Sequence, residues 1–335
     1  MNERIDISFV VPVFNRPAEV EELLQSLSQQ PQGNFEVVIV EDGSTQRCDD
    51  VVKRYNKQLN INYIYKDNSG PGPSRNQGAA MAKGRYCVFL DSDVVLPSDY
   101  MEAVERSLRE HPCACFGGPD RAHIDFSPTQ KAINYAMTSF FTTGGIRGGG
   151  ERMDRFLPRS FNMGVHADAF SAVSGFAPMR FGEDIDLSLR LIEAGFDTRL
   201  YPDAWVWHKR RTDLRKFFRQ VHNSGIARIE LHKRHPGSLK LVHLLPTAFT
   251  VGLLALLLLF AATQWWWALA PIGLFALLIC ADSTLRNHSL RIGLLSVAAS
   301  TVQLTGYGSG LLVAWWKRCV LKQGSFSAFE RTFYK

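Results

Sequence analysis

Two long uncharged runs lie in the last third of the chain. Asp, Glu, Lys and Arg are absent from Leu241 to Ala281, and again from Ile292 to Trp316. A helix of about 20 predominantly apolar residues crosses the hydrocarbon core of a bilayer. The first run is therefore long enough for two spans, over about 241–262 and 265–281, and the second for a third, over 292–316.

Basic residues around these runs set the expected orientation. Residues 211–240 are rich in Lys and Arg and contain only Asp213 and Glu230 as acids. Because Lys and Arg collect in cytoplasmic segments, we expect residues 1–210 in the cytoplasm. We expect 211–240 to form a basic helical segment on the membrane surface, with a solvated helix as the alternative.

Three spans would leave the tail, 317–335, outside the cell, although this tail is basic. The alternative is a re-entrant third segment, broken at the glycines of 306–310, which would keep the tail inside. We expect three full spans in an integral protein of a bacterial inner membrane.

Before residue 210, short Val- and Ile-rich runs alternate with segments whose apolar residues have helical spacing. The strand-like runs are Ile5–Val13, Phe35–Val40, Ile61–Tyr65 and Tyr86–Leu90. This alternation predicts an α/β domain with a Rossmann-like, mostly parallel sheet built from right-handed crossovers. An α-helical membrane domain follows it.

Polar side chains follow each of these runs, namely Asn15 and Arg16, Asp42, Asn68, and Asp91 with Asp93. Ligands of such sheets bind beyond the carboxyl ends of the strands. Turns also favour Asp and Asn, so a scatter of loop residues is the alternative. The alternate carboxylates Asp91 and Asp93 point more specifically to a Mg or Mn ion bound together with substrate phosphates.

Composition excludes several classes of protein. The chain has 335 residues, a formal net charge of +6, 46% hydrophobic and 21% charged residues. It is too long for a minimal disulfide scaffold and too apolar for a disordered chain. Its six cysteines lack the spacing of a zinc site or a disulfide framework. We expect membrane lipids and small-molecule substrates as partners, and no nucleic acid.

The motifs at the strand ends resemble the ordered signatures of family 2 glycosyltransferases, which have the GT-A fold. The matching segments are, in order, Val10–Arg16, Glu41–Ser44, Gly70–Gly78, Phe89–Asp93, Gly182–Leu187 and His208. The resemblance covers residues 1–210 and implies an inverting, metal-dependent transfer of sugar from a UDP- or GDP-linked donor.

The resemblance also implies roles for single residues. The donor-binding residues would be Pro12, Asn15, Asp42, Asn68, Arg75 and Asp91. Asp93 would bind the divalent metal, and His208, at the end of the strand-like Tyr201–Trp207, would complete its ligands. The alternatives are a turn residue for Asp42, a surface charge for Arg75 and an interface histidine for His208.

A catalytic base must lie close to the acceptor hydroxyl. Glu183 and Asp184 precede apolar residues at helical spacing, which end at Gly195. Acids in a first helical turn often only complement the helix dipole. Together with the resemblance, this position favours Asp184 as the catalytic base, supported by Glu183 and Asp186.

The segment before this helix is rich in Gly at 144–150 and contains Arg147, Arg152, Arg155 and Arg159. We expect an acceptor-side loop here. Asn162–Gly164 resembles a segment that lies near the acceptor in the family. The arginines would meet a lipid phosphate, or the loop would simply be solvated.

We expect a membrane-anchored enzyme that adds one sugar to a lipid-linked or glycan acceptor during assembly of a surface polysaccharide or glycolipid. A polyprenyl-phosphate sugar synthase and a processive synthase are the enzymatic alternatives. Processive relatives usually have a Gln-x-x-Arg-Trp signature, whereas this chain has Arg219–Gly225 without a tryptophan. The non-enzymatic alternative is a membrane-anchored nucleotide-sugar binding protein.

Overall fold

The Val- and Ile-rich runs form four adjacent parallel strands of a seven-stranded sheet, in the order β3-β2-β1-β4-β8-β6-β9. Only β8 is antiparallel to its neighbours. A three-stranded sheet has the order β5-β10-β7. The strands are β1 (Ile7–Val13), β2 (Phe35–Asp42), β3 (Ile61–Lys66), β4 (Tyr86–Leu90), β5 (Val94–Val95), β6 (Cys115–Gly117), β7 (Asp120–Arg121), β8 (Asn162–His166), β9 (Thr198–Leu200) and β10 (Val206–His208). The predicted α/β class with a mostly parallel sheet is confirmed.

The computed structural model describes residues 6–31, 34–121, 125–143, 156–179 and 181–324. The helices are α1 (Pro17–Ser28), α2 (Asp49–Tyr55), α3 (Pro71–Met81), α4 (Tyr100–Glu110), α5 (Pro128–Thr138), α6 (Phe140–Thr143), α7 (Ala167–Ala172), α8 (Glu183–Glu193), α9 (Leu214–Arg234), α10 (Leu245–Thr263), α11 (Ala270–Asn287) and α12 (Leu290–Trp315). Single turns of 3-10 helix cover Leu241–Leu244 and Trp266–Leu269, and a π-helical turn covers Trp316–Val320.

The chain divides into two units, and the boundary differs from the continuous domain over 1–210 that the sequence suggests. The described parts of Met1–His123 and Glu151–Lys209 form the α/β unit. Helices α5 and α6 belong instead to the helical unit, together with residues 210–324. The apolar side of α5 packs there, with Ile133 and Ala136 among the buried residues, so the chain leaves the α/β unit and returns to it.

The central sheet is buried on both faces because successive residues of a strand point in opposite directions. Phe9 and Val11 of β1 pack in one cluster with Leu24 of α1, whereas Val10 packs in the other. Gly78 of α3 lies so close to β1 that a Cβ atom there would overlap Val10. Both layers thus hold the carboxyl ends of β1, β2 and β4 in fixed positions.

The strand-like segment Tyr201–Trp207 forms a strand only at its end. Pro202 and Asp203 lie in a turn, since proline has no backbone N–H to donate to a sheet. The remaining strand, β10, still ends on His208 and pairs with β5, which places His208 opposite Val94.

Each apolar run of the helical unit forms helix. Within the part of the chain that the structure describes, two helical segments are long and apolar enough to cross a membrane, Leu241–Thr263 and Trp266–Asn287. The second run, which was predicted as the third span, forms α12, and this helix continues through Gly306–Gly310. Small residues allow its close approach to α9.

We expect this close approach to make Gly225 of α9 sensitive to substitution. A Cβ atom at Gly225 would overlap the carbonyl group of Tyr307 in α12, whereas one at Gly252 of α10 would meet no atom within 4 Å. Overpacking should make Gly225→Val lower the free energy of unfolding by about 1–3 kcal/mol. Thermal unfolding of the detergent-solubilised protein measures this, with Gly252→Val as the matched control. Equal stability of the two variants would contradict the prediction.

Candidate active site

Three potential metal ligands meet beyond the carboxyl end of β4. The ligand atoms of Asp91, Asp93 and His208 all lie within 4.8 Å of one another. The Nε2 atom of His208 is 3.2 Å from Oδ1 of Asp93. The pairing of β10 with β5 causes this juxtaposition, because β5 directly follows the two aspartates. The structure therefore brings the two carboxylates together with an imidazole that follows them by more than one hundred residues in the sequence.

Positive charge surrounds the buried carboxylate of Asp93. Arg16, the residue before α1, donates through Nη1 to Oδ2 of Asp93 at 2.5 Å. Burial would raise the pKa of Asp93, but the neighbouring His208 and Arg16 outweigh it and hold that pKa well below its usual range. Asp93 is consequently ionised at neutral pH.

Arg75 joins this cluster to the first turn of α8. Its guanidinium group is buried and donates to Oδ1 of Asp91 at 2.7 Å and to Oε1 of Glu183 at 3.0 Å. The fork of a guanidinium group can hold two carboxylates in fixed positions. Arg75 is thus not the exposed surface charge of the alternative interpretation.

Glu183 and Asp184 are both buried, and their surroundings differ. Arg159 donates through Nε to Oδ2 of Asp184 at 2.6 Å, and the N–H of Ile185 donates to its Oδ1 at 2.8 Å. Burial raises the pKa of Asp184, yet Arg159 outweighs burial and the net pKa is lowered. Burial and the charge of Asp184 raise the pKa of Glu183. Two adjacent carboxyl groups whose pKa values move apart are typical of acid–base sites.

Besides Arg75 and Asp91, the predicted donor-binding residues lie in or shortly after β1, β2 and β3. The carboxylate of Asp42 accepts hydrogen bonds from the N–H groups of Ser69 and Gly70, each at 2.8 Å, and pairs with Lys66. The side chain of Asn68 donates to the carbonyl of Asp42 at 2.8 Å. Asp42 therefore closes the loop after β3.

Asn15 and Pro12 belong to the same rim. Asn15 has a positive φ of 53°, and its Oδ1 accepts from the N–H groups of Thr45 and Gln46. Pro12 is half-buried within β1. These contacts position the loops after β1 and β2 beside each other, which fits a pocket at the strand ends.

Comparison with known proteins agrees with this arrangement. A family model described as glycosyl transferase family 2 matches residues 8–170. Residues 8–170 belong to glycosyltransferase family 2. This domain includes Asp42, Arg75 and the aspartates after β4, whereas α8 and His208 follow it.

One relative is the pre-mycofactocin glycosyltransferase of Mycobacterium tuberculosis, with 30% identity over 242 residues, 69% of this chain and 48% of the relative. The chain spans about half or less of the length of the curated relatives it matches.

Two solved structures share the fold. Mannosyltransferase PcManGT from Pyrobaculum calidifontis, in complex with GDP-Man and Mn2+, has a TM-score of 0.68 and 16% identity over 95% of this chain and 89% of its own. Residues 1–349 of Staphylococcus aureus TarS, in complex with UDP-GlcNAc, have a TM-score of 0.50 and 16% identity, over 96% of this chain and 93% of the TarS fragment. These similarities place the chain in the GT-A fold.

Several residues contact the candidate site although the sequence did not predict these contacts. Arg16 lies in a recognised motif, but its contact with Asp93 depends on the tertiary fold. The sequence predicts that Arg159 meets a lipid phosphate or lies in a solvated loop, whereas in the structure it contacts Asp184. The other arginines of that loop, within 144–155, lie outside the described residues. Asn162 is buried and donates to the carbonyl of Ala204, so its visible contacts are structural.

The donor set fits a divalent cation. Carboxylate oxygens suit Mg2+ and Mn2+, and an imidazole also binds Mn2+. The Nδ1 atom of His208 is buried without a hydrogen bond, 3.8 Å from Oδ2 of Asp120. A carboxylate facing the second nitrogen of a metal-binding histidine commonly orients the ring. Asp120, which the sequence analysis did not identify, is positioned to orient the ring of His208 in this way.

Metal binding should therefore depend on pH. Burial lowers the pKa of His208, but Asp93 outweighs it and the pKa is raised to about 9. A ligating imidazole must lose its proton, so Mn2+ affinity should rise about tenfold for each pH unit between about pH 6 and about pH 8. Electron paramagnetic resonance of free Mn2+ measures the affinity, and His208→Asn should flatten the dependence. A wild-type affinity that does not change with pH would exclude His208 as a ligand.

Proposed function

We propose that the protein transfers one sugar, with inversion, from a UDP- or GDP-linked donor to a hydroxyl group of a lipid-linked or glycan acceptor. The observation that supports this most strongly is the bridge made by Arg75. It connects Asp91 of the candidate metal cluster with Glu183, the neighbour of the candidate base. This bridge supports a single site in which the cluster proposed to bind the metal lies close to the residues proposed to meet the acceptor.

The donor would lie along the carboxyl ends of β1, β2 and β4. Asp42, Asn15 and Asn68 shape the rim for the nucleoside, and Pro12 forms part of its floor. Asp93 and His208 would hold the metal, with Asp91 beside them. When bound, a divalent ion would stabilise the negative charge that develops on the departing diphosphate.

The acceptor would approach the carboxylate of Asp184. As the oxygen of the acceptor bonds to the anomeric carbon and the bond to the diphosphate breaks, Asp184 would take the hydroxyl proton. Its lowered pKa keeps it ionised and ready to accept this proton. Arg159 donates to its Oδ2 and the N–H of Ile185 to its Oδ1, so the acceptor hydroxyl would share one of these oxygens or displace Arg159. Attack on one face and departure from the other gives inversion.

A membrane anchor would bring the site to an acceptor in the bilayer. The segments Leu241–Thr263 and Trp266–Asn287 follow each other with a short turn between them and are together referred to below as the anchor hairpin. Trp265, Trp266 and Trp267 lie at its turn and are exposed. Indole rings favour the membrane interface, so a hairpin with its turn at the far interface is consistent with these exposures. We place the α/β unit in the cytoplasm because of the basic segment before the hairpin.

The purified protein, incubated with a panel of nucleotide sugars, Mn2+ or Mg2+ and extracted lipids, tests this function. We expect one donor to be consumed and the acceptor mass to rise by one sugar. A monophosphate-linked sugar would identify a polyprenyl-phosphate sugar synthase, and a ladder of masses a processive synthase. Donor binding without transfer to any acceptor in the panel would support the binding-protein alternative.

A further inference from the structure

Two helices with many polar residues, α5 and α9, pack against α12. Its first half packs with α5 and the start of α9, where Ile292 and Ala299 share a buried cluster with Ile133 and Phe217. Its second half packs with the rest of α9, where Leu311 and Ala314 are buried with Ile229. On one side, α12 therefore has neighbours from the polar segments along its length. It also contacts both helices of the anchor hairpin: the Thr250 hydroxyl of α10 donates to the carbonyl of Leu304 at 3.3 Å, and the hydroxyls of Ser283 in α11 and Ser296 in α12 lie 2.7 Å apart. These contacts lie towards the start of α10 and the end of α11, the ends of the hairpin opposite its turn.

Polar contacts continue along the boundary between α9 and α12. His222 lies 3.1 Å from the hydroxyl of Ser309. Arg228 donates through Nε to the hydroxyl of Tyr307 at 3.3 Å. Just beyond α12, Arg318 donates through Nη2 to Oε2 of Glu230 at 2.8 Å, and its side chain is only 11% exposed. The two helices run in the same direction, because residues near the start of α9 contact Gly306 and residues near its end contact Arg318.

These contacts conflict with a third membrane crossing by α12. A helix that crosses with α12 would take α9 with it, and α9 contains Arg219, Arg228, Glu230, Lys233 and Arg234. Charged side chains within a hydrocarbon core are costly and rare. Helix α9 also begins within a few residues of Lys209, the last residue of the α/β unit. Those few residues are too short to cross a bilayer, so α9 and the α/β unit are on one side of it.

We propose that α5, α9 and α12 form a platform that lies in the headgroup region of the bilayer, on the side of the α/β unit, and that α12 is not a third span. The occupant of its exposed apolar surface is the bilayer itself. Leu294 and Trp315 of α12 are 60% and 47% exposed, and so are the neighbouring Phe140 of α6 (70%) and Trp316 of the π-helical turn (53%). The platform helices also contain basic residues, namely Arg215, Lys216 and Arg219 of α9 and Arg291 of α12, with Lys317 in the π-helical turn after α12. This combination suits an interface that contains anionic lipids.

The platform also removes a conflict in the charge pattern. If α12 crossed the bilayer, the basic residues Lys317, Arg318 and Lys322 would follow it to the outer side, against the usual preference of Lys and Arg. With two crossings by the anchor hairpin, these residues stay on the cytoplasmic side. The inference rests on the anchor hairpin of the proposed function but not on its transfer chemistry.

The accessibility of cysteines to an impermeant thiol reagent tests the platform. Cys319, directly after α12, is exposed, whereas Cys48, Cys87, Cys113 and Cys115 are buried. Two added cysteines serve as matched references: Asp168→Cys marks the α/β unit, where the Asp168 side chain is 95% exposed, and Gln264→Cys marks the turn of the anchor hairpin. Labelled peptides from intact cells and from sealed inside-out vesicles are assigned by mass, so no native cysteine needs to be removed.

We expect Cys319 to be labelled in the same preparation as Asp168→Cys, and Gln264→Cys to be labelled in the other. Labelling of Cys319 together with Gln264→Cys, opposite to Asp168→Cys, would overturn the platform and establish three crossings. Labelling of all three positions in one preparation would overturn both the platform and the anchor hairpin. Sugar transfer, measured on the same samples, reports separately on the proposed function.

A pair of lysine substitutions tests depth in the bilayer independently. Leu254 of α10 and Ala298 of α12 are both exposed, and both lie inside the segments that the sequence predicts as spans. Lysine is tolerated at an interface but not at the centre of a span. We expect Leu254→Lys to reduce the amount of membrane-inserted protein severalfold and Ala298→Lys to leave it unchanged. Equal losses would place α12 in the hydrocarbon core and overturn the platform.

Discussion

Asp93→Asn should lower the rate of sugar transfer by about 1,000-fold, since loss of a metal that stabilises the diphosphate costs about 4 kcal/mol of transition-state stabilisation. Asn preserves the shape of the buried side chain but removes the charge that pairs with Arg16 and His208. The amide should also weaken Mn2+ binding. Single-turnover transfer at saturating donor, with a titration of Mn2+, measures both effects.

Asp168→Asn is a suitable control for Asp93→Asn, because it removes the same charge from an exposed position of the α/β unit. We expect the control to retain wild-type transfer. Thermal unfolding should be measured for both variants, because Asp93 is buried between two cationic groups. A folded Asp93→Asn protein that transfers sugar at the wild-type rate in the presence of a chelator would refute the metal assignment.

Asp184→Asn should lower the transfer rate by about 100-fold or more and leave donor affinity nearly unchanged, because an amide cannot accept the hydroxyl proton. The lowered pKa of Asp184 has a further consequence for the wild-type enzyme. Because the pKa of Asp184 lies below that of an ordinary aspartate, Asp184 stays ionised as the pH falls through the ordinary range. The transfer rate should therefore decline only at more acidic pH, where Asp184 becomes protonated. Rates at saturating donor and acceptor across pH, together with calorimetric donor binding, test both statements.

Glu193→Gln provides the matched comparison for Asp184→Asn. It removes a charge from an exposed position near the other end of the same helix. We expect the comparison variant to change transfer much less than Asp184→Asn. If Asp184→Asn instead weakened donor binding and kept the rate at saturation, Asp184 would belong to the nucleotide pocket and another group would be the base.

The sequence alone determined the class of the fold and its family. Strands such as β1 and β2 are buried on both faces, so they appear as continuous apolar runs that need no tertiary information. The motifs after them are local as well, because the turn after a strand requires particular residues. For this reason the α/β class and the resemblance to family 2 could be recognised before the structure was known, and both are confirmed.

The tertiary structure alone decided which site residues meet and how they are paired. Asp91 and Arg75 were assigned to the donor from their motifs, but their contact with each other and with Glu183 depends on how α3, β4 and α8 pack. The contacts of Arg159 with Asp184 and of Asp120 with His208 had no local signal, since the sequence around an isolated charged residue does not show which distant residue it meets. Contacts between distant residues arise from packing, which hydrophobic periodicity does not specify.

The same distinction explains the C-terminal helices. Absence of charge within 292–316 is a local property, and it predicted a helix long enough to cross a membrane. Whether such a helix crosses the membrane depends on its neighbours, and the packing of α5 and α9 along α12 cannot be predicted from the sequence of α12. Local apolarity therefore determined where these helices form. The tertiary structure decided which charged helices pack against α12, and these charges matter because the hydrocarbon core of a bilayer excludes charged side chains.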